Sequence, residues 1–94
     1  MPMNDILGII ERTVRERFGD GLISSVRVVR ETDHDGDDVF RVTVVFDSKS
    51  PLDAHKTSGI VRHIRHRLIE RDEHTFPIVA FVSKADAGKN AAAA

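Results

Sequence analysis

The stretch VFRVTVVFD, residues 39–47, limits the fold more than any other part of this chain. Phe40, Val42, Val44 and Phe46 alternate along it, all large and apolar. The set between them, Val39, Arg41, Thr43 and Val45, is half apolar. β-Branched and aromatic residues at this density read as a strand. A strand apolar on one side and partly apolar on the other belongs in the middle of a sheet, where both faces find cover. The remaining elements have to be arranged around it.

Before it lies LISSVRVVR, residues 22–30, also rich in β-branched residues. Between the two sits ETDHDGDD, residues 31–38, whose Asp35-Gly36 pair is a tight-turn signal, so the two strands form a hairpin. At the N-terminal side, Met3, Leu7, Ile10, Val14 and Phe18 recur at helical spacing. Asn4 is placed to cap that helix and Gly19 to stop it in the left-handed region. After the hairpin, SPLD at 50–53 reads as a second helix start, with Ser50 as cap, Pro51 in the first turn and Asp53 returning a capping-box bond. That helix runs to about Arg71 and buries Thr57, Ile60, Val61, Ile64 and Leu68. FPIVAFVSK, residues 76–84, reads as a last strand, and Pro77, which cannot donate to a ladder, puts it at an edge.

The order helix, strand, strand, helix, strand predicts an α+β fold. The hairpin strands pair antiparallel. A helical crossover brings the third strand parallel to the second, with a right-handed connection. The expected architecture is a two-layer α-β-β-α-β sandwich: a three-stranded mixed sheet in order 1-2-3, both helices on one face. Residues 1–84 form the single domain, and 85–94 (ADAGKNAAAA) form a flexible tail with nothing to bury. The helices are expected over Phe40, Val42, Val44 and Phe46. The opposite face then carries Val45 together with Val79 and Phe81 or their neighbours, and a bare apolar face invites a second copy of the chain. Val45, Val79 and Phe81 are the expected dimer interface.

Composition narrows the chemistry. Fourteen Lys and Arg against fifteen Asp and Glu leave the 94-residue chain near neutrality, so affinity for anions has to come from a local cluster. With no cysteine there is neither a disulfide nor a thiolate metal site. No apolar run approaches the ~20 residues that span a bilayer. The chain reads as a cytoplasmic protein with no membrane association and no cofactor. Its serines sit in no nucleophile motif and it has no glycine-rich phosphate loop, so an enzymatic role has little support.

One cluster stands out. The second helix carries His55, Lys56, Gly59, Arg62, His63, Arg65, His66 and Arg67. His55, Gly59, Arg62 and His66 lie opposite its apolar stripe, a cationic ridge with a glycine in its middle. Glycine inside a helix costs about 1 kcal/mol against alanine, a cost accepted where another group must come close. Cations near a helix C-terminus also complement the dipole, and Glu70 stands four residues from His66. The leading expectation is a non-enzymatic, homodimeric interaction module that shows this ridge to an acidic protein partner or an anion. Its affinity would fall as pH rises and the histidines lose charge. Two alternatives use the same helix: nucleic-acid binding through its cations, and a metal site of His63, His66 and Glu70, with His74 nearby. The aspartates at 33, 35, 37 and 38 read as a solvated turn, because the calcium-loop pattern fails at Gly36 and lacks its distal Glu. Their charge is opposite to that of the ridge, which suggests a meeting of turn and helix between subunits.

Two resemblances bear on this layout. VVFDSKSPLDAH, residues 44–55, has an apolar strand, an acidic residue, a short loop and a helix opening on Ala54-His55. In this it resembles the cytoplasmic C-terminal domain of cation diffusion facilitators, a small dimerising helix-strand-strand-helix-strand unit. That likeness implies the same fold and a dimer. VFRVTVVFD and HTFPIVAF (74–81) are similar to BolA-like and type II KH-like domains. No Gly-x-x-Gly turn joins two helices here, so the RNA-binding residues of KH domains have no counterparts in this chain.

Overall fold

The computed structural model describes residues 3–19, 21–47 and 52–86. The elements are α1 (Met3–Phe18), β1 (Ile23–Thr32), β2 (Asp38–Phe46), α2 (Ala54–Ile69) and β3 (Phe76–Ser83). The sheet order is β1-β2-β3, with β1 antiparallel and β3 parallel to β2. The chain is thus an α+β fold of the expected order, with the doubly apolar strand in the centre.

The core lies between sheet and helices. Phe40, Val42 and Val44 of β2 are fully buried, together with Ile6, Ile10 and Val14 of α1 and Ile60, Ile64 and Leu68 of α2. These residues form one continuous cluster, so both helices cover the same side of the sheet. Burying a side chain of this size contributes about 1.5–3 kcal/mol.

Helix α1 buries a wider arc than its spacing suggests. Ile6, Ile9 and Thr13 join Ile10, Val14 and Phe18 inside, while Leu7 is only half-buried. The cause is that α1 packs against both β1 and α2. Asn4 lies within the helix and does not cap it. Gly19 ends α1 as expected, at φ 92°, its N–H donating to the Arg15 carbonyl at 2.7 Å. β1 carries one extra residue at Ser24, a bulge that keeps Ile23 facing the core.

The hairpin turn occupies residues 33–37. The Asp33 carboxylate accepts from the N–H groups of Asp35 and Asp37, both at 2.9 Å, and Gly36 takes φ 85°. Asp33 thus serves as a turn residue of the kind that bonds its own backbone. Helix α2 begins later than the SPLD signal suggests. Asp53 itself is the cap, its carboxylate accepting from the N–H of His55 at 2.8 Å and of Lys56 at 3.3 Å. Ser50 and Pro51 lie outside the described residues, as do residues 87–94 of the expected tail. The far end of α2 stops at Ile69, two residues short of Arg71, and Asp72 turns the chain at φ 60°.

Pro77 confirms the edge position of β3 yet sits within the ladder, opposite Phe40 and buried. Alternation along β3 corrects one expectation. Val79 and Phe81 pair with the buried Val42 and Val44, pack against the core, and so lie beneath the helices. The ring of Phe81 meets Phe18 edge-on, centroids 5.6 Å apart. Phe76, Ile78, Ala80 and Val82 occupy the opposite face instead, alongside Val45 and Val29; among the described residues no helix covers that face, and it is the bare face of the sheet.

Candidate functional site

The layer of two helices has an outer surface of its own. Where α1 and α2 run side by side, their charged flanks enclose a cleft with two hollows. One, of about 190 Å³, is lined by Thr13, Glu16, Arg17, His63 and Arg67. The other, of about 320 Å³, is lined by Ile9, Arg12, Glu16, His66, Arg67, Glu70 and Arg71. Glu16 and Arg67 belong to both and form the partition. Arg67 donates to the Glu16 carboxylate at 2.6 Å and to the Thr13 hydroxyl at 3.2 Å. Thr13 is buried and passes its own proton to the Ile9 carbonyl at 2.7 Å. A buried hydroxyl that both donates and accepts costs little and fixes the guanidinium that leans on it.

Gly59 belongs to this junction. A β-carbon there would stand 2.8 Å from Nη2 of Arg17, and Arg17 Nε donates to the Lys56 carbonyl at 3.2 Å. The close approach that the glycine permits is made by a side chain of α1. Gly59 is therefore not the middle of a free ridge.

The sequence-derived cationic residues divide accordingly. Arg67 and His63 enter the cleft, and His66 lies on its rim, 3.0 Å from Glu70. Lys56 contributes its carbonyl, and its ammonium is exposed with His55 and Arg62 on the solvent side. Arg65 turns the other way, its guanidinium 4.9 Å above the Phe76 ring, and serves that ring. Residues of α1 were the ones sequence reasoning passed over. Arg12, Glu16 and Arg17 alternate in sign, as a solvated surface does, and only the pairing of two helices gives them a role.

His63 carries the mark of this field. Its pKa is pushed below the ordinary 6.5, first by desolvation and then by the guanidinium groups of Arg17, Arg62 and Arg67 and by His66. The imidazole is therefore mostly uncharged at neutral pH. His63, His66 and Glu70 do not converge as a metal site would. Among the described residues, the one group of three whose ligand atoms lie within 4.8 Å of one another is Asp33, Asp35 and Asp37, all exposed on the hairpin turn. His74 pairs with Asp72 at 3.0 Å, away from the cleft. Among the described residues no helix is long and apolar enough to cross a membrane.

The arrangement is thus an α+β sandwich bearing a cation-lined cleft on its helical layer. No protein-family model and no curated protein matches this chain. Among solved structures it is similar to an acyl-CoA synthetase of Brucella canis, at 14% identity and a TM-score of 0.52. The match covers 88% of this chain and 17% of that one, so the chain spans about a sixth of the longer protein. At that identity the likeness shows the fold alone, and it bears on neither of the family resemblances read from the sequence.

Proposed function

We propose that the protein is a small non-enzymatic interaction module whose cleft between α1 and α2 receives an acidic group of a protein partner. The observation that carries this reading is the separation of charge. Arg12, Arg17, Arg67 and Arg71 gather around two glutamates in a chain whose net charge is only −1. Both glutamates are already engaged, Glu16 by Arg67 and Glu70 by His66. Because His63 is mostly uncharged at pH 7, the arginines carry the attraction there.

The bare sheet face completes the proposal. Phe76, Ile78 and Val29 are large, apolar and exposed on it. Arg41 and Glu31 pair across it at 2.7 Å. A second copy of the chain is the partner proposed for this face, and the helical cleft on the opposite side is left open in such a pair.

Amide chemical-shift mapping tests the reading. Titration with a glutamate-rich peptide is expected to move signals in α1 and the C-terminal half of α2, and the affinity to fall between 50 and 300 mM salt, on the order of a Debye-screened surface contact. Shifts confined to the hairpin turn or to β3, or none, would overturn it. Parallel titrations with duplex and single-stranded oligonucleotides address the alternative. A polyanion gripped by several cations loses affinity far more steeply with salt.

A further inference from the structure

We infer that the larger hollow of the cleft is a binding site for a phosphate monoester, held between Arg12 of α1 and Arg71 of the turn that follows α2. This rests on the proposed role of the cleft as an acceptor of acidic groups and names the group.

Glu16 is held by Arg67 at 2.6 Å, and Glu70 by His66 at 3.0 Å. Arg67 is fixed further by the Thr13 hydroxyl. Among the described residues, the side chains of Arg12 and Arg71 make no hydrogen bond and no ion pair. Two arginines with uncommitted side chains thus line one hollow, one from α1 and one from the turn that follows α2. The cations also exceed what the helix end requires. An α-helix C-terminus carries the equivalent of about half a negative charge, and His66 and Arg67 already stand in the last turn of α2. Arg71 is surplus to that demand.

Two arginines lining separate walls of one hollow suit a group with several oxygens spread in space. A guanidinium offers paired donors in a fork that matches a two-oxygen edge; a phosphate monoester has several such edges to offer, and a carboxylate has one. A phosphate monoester near pH 7 carries close to two charges and three acceptor oxygens. The floor helps, because Ile9 is buried and apolar and limits access of water from beneath. Size sets an upper bound. About 320 Å³ lies at the bottom of the range of roughly 300–1,000 Å³ found for ligand pockets, enough for a phosphorylated head group but not for a large cofactor. An extended polyphosphate chain is a poorer match, since the hairpin turn exposes Asp35, Asp37 and Asp38 and the protein as a whole is slightly acidic.

The test uses the intact protein at pH 7.5 and three probes: a short phosphoserine peptide, the same peptide with glutamate in place of phosphoserine, and glucose 6-phosphate. Binding is followed by amide shifts and by ³¹P shifts. The phosphopeptide is expected to bind at least about fivefold more tightly than the glutamate peptide, with shifts at residues 9–16 and 66–71. Arg12→Gln and Arg71→Gln are each expected to weaken it about fivefold, whereas Arg27→Gln on β1 leaves it unchanged. Arg12→Lys, which keeps the charge and loses the fork, is expected to recover only part of the loss. Comparable binding of glucose 6-phosphate would assign the site to small metabolites, and its failure beside a tight phosphopeptide would assign it to phosphorylated protein. Both results support a phosphate monoester site. Equal affinity for the phosphorylated and glutamate peptides would overturn this inference and leave the acidic-partner reading standing. Failure of all three probes to shift the cleft would overturn both.

Discussion

Phe40 and Phe76 stand near one end of the same sheet, on opposite faces, and meet opposite fates. Phe40 points toward the helices, is fully buried and carries the Arg30 guanidinium 4.9 Å above its ring. Phe76 points to the bare face, is 45% exposed, and its cover is the guanidinium of Arg65. The two faces therefore differ less in composition than in what lies over them. The covered face is complete within one chain. Among the described residues, its counterpart has Val29, Ile78 and Phe76 exposed, while Val39 is buried between its ladder partners Glu31 and Phe76. This exposed apolar area is what the proposed second copy of the chain would cover.

The sharpest contrast comes from truncating both rings. Phe40→Ala is expected to lower unfolding free energy by about 3–5 kcal/mol, since it opens a cavity among residues that cannot all relax into it. Phe76→Ala is expected to cost less, about 1–2 kcal/mol, because the ring is already 45% exposed and what it loses is its partial burial and the Arg65 guanidinium above it. Urea unfolding of the two variants at low protein concentration measures both. Similar losses would mean that the bare face is covered within the monomer.

A smaller effect is expected at the rim of the covered side. Glu73 accepts from the hydroxyl and N–H of Thr75, at 2.7 and 3.3 Å, and from Arg30 at 3.2 Å. Its carboxyl is held below the ordinary 4.5, chiefly by the Thr75 hydroxyl and against the opposing effect of partial burial. A depressed pKa stabilises the fold fully above the unfolded-state value, and the gain disappears as pH falls through the folded-state value. Wild type should therefore exceed Glu73→Gln by about 1 kcal/mol at pH 6–7. The gap should close below the ordinary glutamate range. A gap that persists unchanged at pH 3 would show that the charge has no part in it.

Much of the fold was legible because one strand dominated it. Residues 39–47 are apolar on both sides, and from that the central place of β2, the order 1-2-3 and the covered set Phe40, Val42 and Val44 all follow. The side of β3 was harder to assign. Ile78, Val79, Phe81 and Val82 are all apolar, so alternation gives no phase, and Val79 and Phe81 were placed on the wrong face. The register that decides it comes from pairing with β2, which puts Pro77 opposite Phe40. Part of the cleft was legible in the same way. The cations of α2 were visible as a cluster, but the wheel of one helix cannot show what a second helix places against it. Gly59 therefore read as an opening to solvent when it is the seat of Arg17.

That seat allows a finer comparison between the helical layer and the bare sheet. Gly59→Ala adds about 1 kcal/mol of helix propensity. It also pushes aside the end of Arg17 and its exposed bond to the Lys56 carbonyl, worth about 0.5–1.5 kcal/mol. The two effects nearly offset, and the single variant is expected within about 0.5 kcal/mol of wild type. In an Arg17→Ala background the obstacle is gone, and Gly59→Ala should then stabilise by the full amount of about 1 kcal/mol. Equal effects in both backgrounds would mean that Arg17 does not occupy the space above Gly59.

The smallest stability change is expected at Ile78, and there the two faces separate most cleanly. Ile78 is 39% exposed and sits opposite Arg41 on the bare side. An aspartate at this position faces a guanidinium and water and leaves the packed core untouched. Ile78→Asp should thus alter monomer unfolding by no more than about 0.5 kcal/mol. In a two-fold pair built on this face the same carboxylate loses its water to an apolar contact, and that desolvation costs several kcal/mol. Sedimentation of wild type and variant over a range of concentration distinguishes the cases. Dimeric wild type and monomeric Ile78→Asp, both fully folded, would place the contact on β3. A wild type that stays monomeric at high concentration would break the comparison, because the exposed residues would then need no cover at all. A variant that remains dimeric would move the contact to another surface, and the helical layer would be the next to test.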